Sequence, residues 1–122
     1  MRIERADPSG LKATSADKGW YAGPWNSNLM VSVGYANEGI DEPHVHKRIT
    51  EVYLVARGTE MRVEQETVTL ESGDVIVIEP GEAHTFLSSS PEYFHFVVRV
   101  PGLSAEEVRA ERSSVPRWRL GL

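Results

Sequence analysis

The chain has 122 residues, a length typical of one domain with one hydrophobic core. It contains no cysteine, which excludes disulfides, thiol nucleophiles and cysteine-based zinc sites, so any metal must be held by nitrogen and oxygen. The net charge is −5 and no basic block occurs, which argues against nucleic acid as a partner. The charged residues 1–7 and the lack of an apolar run of about 20 residues argue against secretion and membrane insertion. We therefore predict a cytoplasmic protein with no membrane partner.

Residues 1–27 are rich in glycine, proline and other turn formers, with Trp20, Tyr21 and Trp25 among them. This N-terminal arm is too aromatic for a plain linker, so we expect it to pack over the folded core or against a second subunit. From Leu29 to Tyr35, apolar residues occupy every second position, which is the period of a β-strand.

Further strand-like runs follow, separated by turn formers, at 51–57, 60–65, 67–70, 74–79, 84–88 and 92–100. Short strands at regular spacing predict an all-β sandwich or barrel over residues 28–100. Ser104 and Glu107 form a capping box, which predicts one short helix over 104–112 and then a tail within the same single domain, 1–122. The chain's one concentration of basic residues falls here, and we interpret it as a solvated helix face and tail, with contact to a phosphate-bearing partner as the alternative: Arg109, Arg112, Arg117 and Arg119.

In the strand 51–57, alternation directs Tyr53 and Val55 to the interior and Val52, Leu54 and Ala56 outward. An outward row of apolar side chains needs a cover, and a second copy of the chain supplies one most simply. The sequence therefore predicts a homodimer.

Three of the four histidines fall, with one glutamate, in two short segments. His44 and His46 are two residues apart and so face the same side of a strand, and Glu51 follows at the head of the next strand. His84 comes just after a strand and the turn Pro80-Gly81. Imidazole nitrogens with one carboxylate suit Fe, Mn, Zn, Ni, Co or Cu rather than Ca or Mg. The sequence predicts one divalent transition metal as cofactor.

The two segments resemble the paired motifs of the cupin family. The first motif, a glycine, His-X-His, a glutamate and a second glycine, occurs here as Gly39, His44-Val45-His46, Glu51 and Gly58. The second motif, a glycine, Pro-X-Gly and a histidine, occurs as Gly73, Gly81 and His84. Together they span about two fifths of the chain, from Gly39 to Ser88.

Three details depart from the family pattern. Gly39 is one residue closer to His44 than usual, the proline is at position 80 rather than 79, and Ser88 replaces a frequent asparagine. None of these removes a ligand. The resemblance implies a cupin double-stranded β-helix, a jelly-roll barrel, with four metal ligands: His44, His46, Glu51 and His84.

The surroundings of the metal are predicted from the same alternation. His95 shares a face with Tyr93 and Arg99, opposite the continuous apolar face of Phe94, Phe96 and Val98, so we expect His95 to point outward. Phe86 lies on the side of His84. The aromatic residues that could line a pocket around the metal, or simply fill the core, are Tyr35, Tyr53, Phe86, Phe94 and Phe96. Candidates for a general base are Tyr35, Tyr53, Glu42 and Gln65.

Three imidazoles and one carboxylate leave coordination positions open, as catalytic metal sites do. The favoured function is a metal-dependent enzyme acting on a small oxygenated molecule, as a dioxygenase or as an isomerase, lyase or decarboxylase. The alternatives are a metal-dependent binding or sensing module and a structural barrel with an incidental metal. Small cupins of this kind are often described as similar to mannose-6-phosphate isomerase, but a fold does not fix a function.

Overall fold

The computed structural model describes residues 1–3, 19–36 and 42–122, without the side chains of 89–91. Gly39 of the first motif and residues 4–18 of the N-terminal arm lie outside the described residues. The described elements, in chain order, are β1 (Gly19–Ala22), β2 (Ser32–Ala36), β3 (His44–His46), β4 (Thr50–Val63), β5 (Glu66–Leu70), β6 (Val75–Ile78), β7 (His84–Val100), α1 (Ala105–Glu111), β8 (Arg112–Ser114) and a 3₁₀ turn (Arg117–Leu120).

The eight described strands form one curled antiparallel sheet, as the all-β prediction required. The long strands β4 and β7 pair from Thr50↔Val100 to Val63↔His84, and their register shifts at three places, which bends the pair. Within the sheet the strand order is β1, β2, β7, β3 and β8. β4 lies off this path and pairs with β7, and β5 and β6 pair with the two ends of β4. The predicted strands 51–57 and 60–65 are therefore one strand, and so are 84–88 and 92–100.

The core lies between the two halves of this curled sheet. Its buried members include Tyr53, Val55 and Phe86, all at most 3% exposed, so the predicted interior positions are confirmed. Ala56 is exposed and Leu54 is 38% exposed on the opposite face, which confirms the predicted alternation of β4.

The predicted orientation of β7 is wrong. His95 is completely buried, whereas Phe96 is 40% exposed. Both faces of this strand carry enough apolar side chains to be buried. Hydrophobicity alone therefore does not tell which face of β7 points into the core. The register decides: His95 lies opposite buried Val55 and Phe96 opposite outward Leu54, and paired residues share a face.

The C-terminal segment forms the predicted helix with its capping box. Ser104 Oγ accepts from the Glu107 backbone N–H, and the Glu107 side chain accepts from the Ser104 N–H. Beyond α1 the tail packs against the sheet. β8 pairs with β3, and the backbone carbonyl of buried Leu120 accepts a hydrogen bond of 2.7 Å from Arg62 Nε. In the described part of the chain, neither α1 nor the 3₁₀ turn has the length and apolar character needed to span a membrane.

Candidate metal centre

His44 and His84 lie directly opposite each other on β3 and β7, with ring centroids 4.3 Å apart. The Nδ1 atom of each ring donates to the backbone carbonyl two residues earlier, Glu42 O at 2.8 Å and Glu82 O at 3.0 Å. A carbonyl only accepts, so the proton is on Nδ1 and Nε2 keeps its lone pair. Both rings therefore offer Nε2 as a ligand atom.

The turn before His84 fixes where that ring lies. The Glu82 N–H donates to Glu79 O at 3.1 Å, and Gly81 has φ of +88°, a conformation that suits glycine at the third position of a turn after proline. The Gly81 N–H also donates to His46 O at 2.8 Å. The Pro-Gly turn thus ties the second histidine segment to the first.

His46 is held by a residue that sequence reasoning missed. Its Nδ1 lies 2.5 Å from Oε2 of Glu111, the last residue of α1, and Oε1 of Glu111 accepts from the Arg48 and Ile49 backbone N–H groups at 3.2 and 2.9 Å. Glu111 is 5% exposed. Its position three residues after the half-buried Val108, on one face of the helix, was the available signal.

Glu51 lies at the point where the three imidazoles meet. Its Oε1 is 3.1 Å from His46 Nε2, 3.2 Å from His84 Nε2 and 4.0 Å from His44 Nε2. The carboxylate is completely buried, which is costly without positive or hydrogen-bonding partners. Arg99 Nε donates to Oε2 at 3.1 Å and the Tyr53 hydroxyl donates to Oε1 at 3.1 Å. Arg99 was not predicted as part of the site.

The structure brings the four predicted residues together unequally. His44, Glu51 and His84 offer ligand atoms that all lie within 4.8 Å of one another. His46 falls outside that group, although its Nε2 is 3.1 Å from Glu51 Oε1. Nε2 of His46 is nevertheless buried and makes no hydrogen bond with any described residue. A buried nitrogen in that state fits a metal ligand, so the donor set of three nitrogens and one oxygen suits a divalent transition metal.

Burial also sets the charge state that a ligand needs. It lowers the pKa of His44 to about 4, so this imidazole is neutral at neutral pH. Burial raises the pKa of Tyr53 well above its ordinary value, which keeps the hydroxyl protonated as a hydrogen-bond donor rather than a base.

The other predicted base candidates lie elsewhere. Tyr35 stacks between Tyr21 and Phe94, at 4.5 and 5.6 Å, on the outward side of β2 and β7. Gln65 is exposed and its amide donates to Arg119 O at 2.6 Å. The Glu42 carboxylate accepts from Ser114 Oγ at 2.5 Å, and that hydrogen bond, ahead of Arg112, holds its pKa below the ordinary value.

The predicted aromatic pocket is correct in part. Tyr53 and Phe86 pack beside the centre, with Tyr53 6.5 Å from His84 and 5.5 Å from Phe86. Phe94 and Phe96 contact each other on the outer face at 5.2 Å, so they do not line the centre. Two residues of the centre, His44 and Arg99, line a cavity of about 640 Å³ between the sheet and α1.

Comparison with known proteins gives a family match and a set of similar folds. The Cupin domain family matches residues 32–100, more than half of the chain. A comparison with curated protein sequences gives no match.

Among solved structures, an uncharacterized conserved protein with a double-stranded β-helix domain from Klebsiella pneumoniae is 21% identical. It has a TM-score of 0.65, over 95% of this chain and 98% of that one. A Cupin 2 conserved barrel domain protein from Salinispora arenicola is 16% identical with a TM-score of 0.64, over 90% and 94% of the two chains. PAC13 from Streptomyces, in complex with uridine, is 13% identical with a TM-score of 0.63, over 94% and 92%. These likenesses confirm the double-stranded β-helix fold.

Proposed function

The chain belongs to the Cupin domain family, and from that premise we propose that it is a metal-dependent enzyme acting on a small oxygenated molecule. The proposed ligands are His44, His46, Glu51 and His84. The observation that carries the proposal is the meeting of one buried carboxylate oxygen, Glu51 Oε1, with the Nε2 atoms of the histidines at 3.1 to 4.0 Å. Burying a carboxylate together with three imidazoles is costly unless their charges and lone pairs are compensated, and a bound metal ion would compensate them.

A divalent ion bound there would polarise a substrate carbonyl or acidify a bound water. The chain's own residues set the surroundings. Arg99 balances the negative charge of Glu51, the Tyr53 hydroxyl donates to the same carboxylate, and His44 alone of the four ligands lines the cavity. A substrate would therefore approach from the His44 side, while the opposite side is closed by the core.

The reaction class is proposed as an oxygenase reaction or as isomerase or lyase chemistry through a metal-bound carbonyl or enediolate. The similar structures include Pac13, described as a nucleoside dehydratase, which supports the lyase alternative. The more specific likeness to mannose-6-phosphate isomerase stays a prediction from the sequence.

A second candidate function is a metal-dependent binding or sensing module. It is favoured by the side chains around Glu51, because Tyr53 is a protonated donor and Arg99 is already paired with the carboxylate. Among the described residues that contact Glu51, none is a free base placed to accept a substrate proton.

We further propose that the chain forms a homodimer through the outer face of β4, β6 and β7. Five apolar side chains on this face are 38 to 56% exposed: Leu54, Val75, Val77, Phe96 and Val100. Their register places Val75, Leu54 and Phe96 side by side across three strands, which makes a continuous apolar strip. A flat strip of this kind can pair with its own copy about a twofold axis.

Elemental analysis of protein purified without a chelating tag tests the metal directly. Iron would favour oxygen chemistry, and zinc or nickel would favour isomerase or lyase chemistry. Protein loaded with cobalt should then be screened with keto acids, hydroxy acids, catechols and sugar phosphates for spectral change, and each hit followed for turnover with and without oxygen. Ligands that bind but are never converted would favour the binding module.

A further inference from the structure

We propose that the cavity beside His44 binds a small organic anion with a planar apolar portion, such as an unsaturated or aromatic carboxylate. This names the substrate class of the enzyme proposed above, and to that extent it rests on the proposed function. The cavity itself is defined by contacts that do not depend on a metal. Its volume of about 640 Å³ lies within the range of small-molecule sites.

The charge of the cavity is the first reason. Three arginines line it, from β7, α1 and β8: Arg99, Arg109 and Arg112. Among the described residues that line the cavity none is acidic, although the chain as a whole has a net charge of −5. Glu51 and Glu42 pair with Arg99 at 3.1 Å and with Arg112 at 3.5 Å from outside the lining. Guanidinium groups only donate hydrogen bonds, so the ligand they suit is an acceptor, and a carboxylate matches their fork.

A buried polar atom in the lining is the second reason. Ser32 Oγ is buried and makes no hydrogen bond with any described residue. Ser32 is only 2% exposed. Buried polar groups almost always have a partner, so a cavity that presents a hydroxyl without one is suited to an oxygen-bearing ligand.

Aromatic surface on the same cavity is the third reason. Trp20 and Trp25 both line it and meet edge to face, with centroids 6.4 Å apart at 88°. Arg99 lies 4.7 Å over the Trp20 ring, which holds that guanidinium in place. Trp25 stays 50% exposed, so its ring offers a flat apolar surface for an unsaturated or aromatic group.

The test is equilibrium binding of cinnamate, cinnamamide and inorganic phosphate, followed by tryptophan fluorescence and by NMR, in metal-free and zinc-loaded protein. Cinnamate carries both features, cinnamamide lacks the charge, and phosphate lacks the planar group. We expect cinnamate to bind about tenfold or more tightly than either probe in both forms. Cinnamamide loses the hydrogen bonds between a carboxylate and the guanidinium groups, and phosphate loses the contact of a planar group with the tryptophan rings.

Variants then place the binding in the cavity. Arg112→Met and Arg109→Met should each weaken cinnamate binding, the half-buried Arg112 by about tenfold or more, and Trp25→Leu should reduce the preference for cinnamate over phosphate. Arg57→Met is the matched control, because Arg57 pairs with Glu92 on the surface away from the cavity and should bind cinnamate like the wild type.

Equal binding of cinnamate and cinnamamide, or no saturable binding at about 10 mM, would overturn the proposal. Phosphate binding as tightly as cinnamate would overturn the planar requirement. If cinnamate binds only to the zinc-loaded protein, and Arg109→Met and Arg112→Met bind it as tightly as the wild type does, the metal alone binds the anion. Because the metal-free protein is measured in parallel, a chain that binds cinnamate but no metal would refute the proposed enzyme and leave the anion site standing.

Discussion

Glu111 and His46 are joined by a side-chain hydrogen bond of 2.5 Å, although they are 65 residues apart in the chain. Because the same carboxylate accepts from the backbone of Arg48 and Ile49, the end of α1 is tied to the loop between β3 and β4. Glu111 thus fixes the orientation of His46 and keeps Nδ1 protonated, which directs the lone pair of Nε2 toward Glu51.

Glu111→Gln should lower the affinity for zinc or cobalt by about 10 to 100-fold, because the amide orients the ring less firmly and removes the charge that makes the imidazole a stronger donor. Competition with a chelator of known affinity measures this. Glu106→Gln, on the exposed side of α1, is the control and should leave the affinity unchanged. Equal affinities for Glu111→Gln and wild type would show that the hydrogen bond serves the fold alone.

The buried pair Tyr93 and His95 predicts a loss of stability at high pH. Burial raises the pKa of Tyr93, so the folded protein keeps the hydroxyl protonated and donating to His95 Nδ1 after the unfolded chain has begun to ionise. The stabilisation of the fold by the protonated Tyr93 hydroxyl is therefore complete below the ordinary tyrosine pKa of 10.0. It is lost as the pH rises beyond that value.

Urea denaturation at pH 8 and at about pH 11 checks this. Tyr93→Phe should cost about 1 to 2 kcal/mol at pH 8, from the lost hydrogen bond, and should flatten the decline between the two pH values. An equally steep decline in Tyr93→Phe would contradict the assignment.

Leu54→Asp should convert the proposed homodimer to a monomer, because it places a charge in the middle of the apolar strip on β4, β6 and β7. Light scattering at micromolar concentration gives the mass. Met30→Asp is the matched control, since Met30 is 84% exposed and outside this strip. A monomer mass for the wild type would refute the dimer outright.

The interior of β4 and the two histidine segments could be predicted because period-two alternation and ligand spacing are local properties of the chain. Gly58 shows where local reasoning fails. Its position suggested the end of a strand, but β4 continues through it, and a Cβ there would lie 2.8 Å from Leu70 O. The glycine is required by the close approach of another segment rather than by a turn.

His95, Arg99 and Glu111 could not be placed for the same reason. The inward face of β7 depends on its register with β4, since Glu51 lies opposite Arg99 and Val55 opposite His95. The contact of Glu111 with His46 depends on how the C-terminal segment returns to β3. Both are set by pairing between distant segments, which one sequence does not display.

Glu51→Gln distinguishes an enzyme from a binding module. The amide keeps the size and one oxygen donor but removes the negative charge, so the site gains about one unit of positive charge. We expect weaker metal binding and, in an enzyme, a fall in turnover of a substrate by orders of magnitude. In a binding module, ligand affinity should stay within a few fold of wild type or rise for an anionic ligand. Glu92→Gln, on the exposed surface, is the control for the substitution itself.

The most direct test of the central claim is the metal content per chain, measured without an affinity tag in the wild type, His84→Ala and His95→Gln. The melting temperature of each protein is measured before and after a chelator removes the metal. His84 contributes Nε2 to the group around Glu51, whereas His95 is a buried histidine that hydrogen bonds to Tyr93 instead. We predict about one metal ion per chain in wild type and in His95→Gln, even where the latter is less stable, and a melting temperature that falls on chelation. His84→Ala should lose most of its metal and show little response to chelator. An unchanged metal content in His84→Ala, or no metal in a wild-type protein offered zinc, cobalt and iron, would contradict the assignment of these four residues as one metal site.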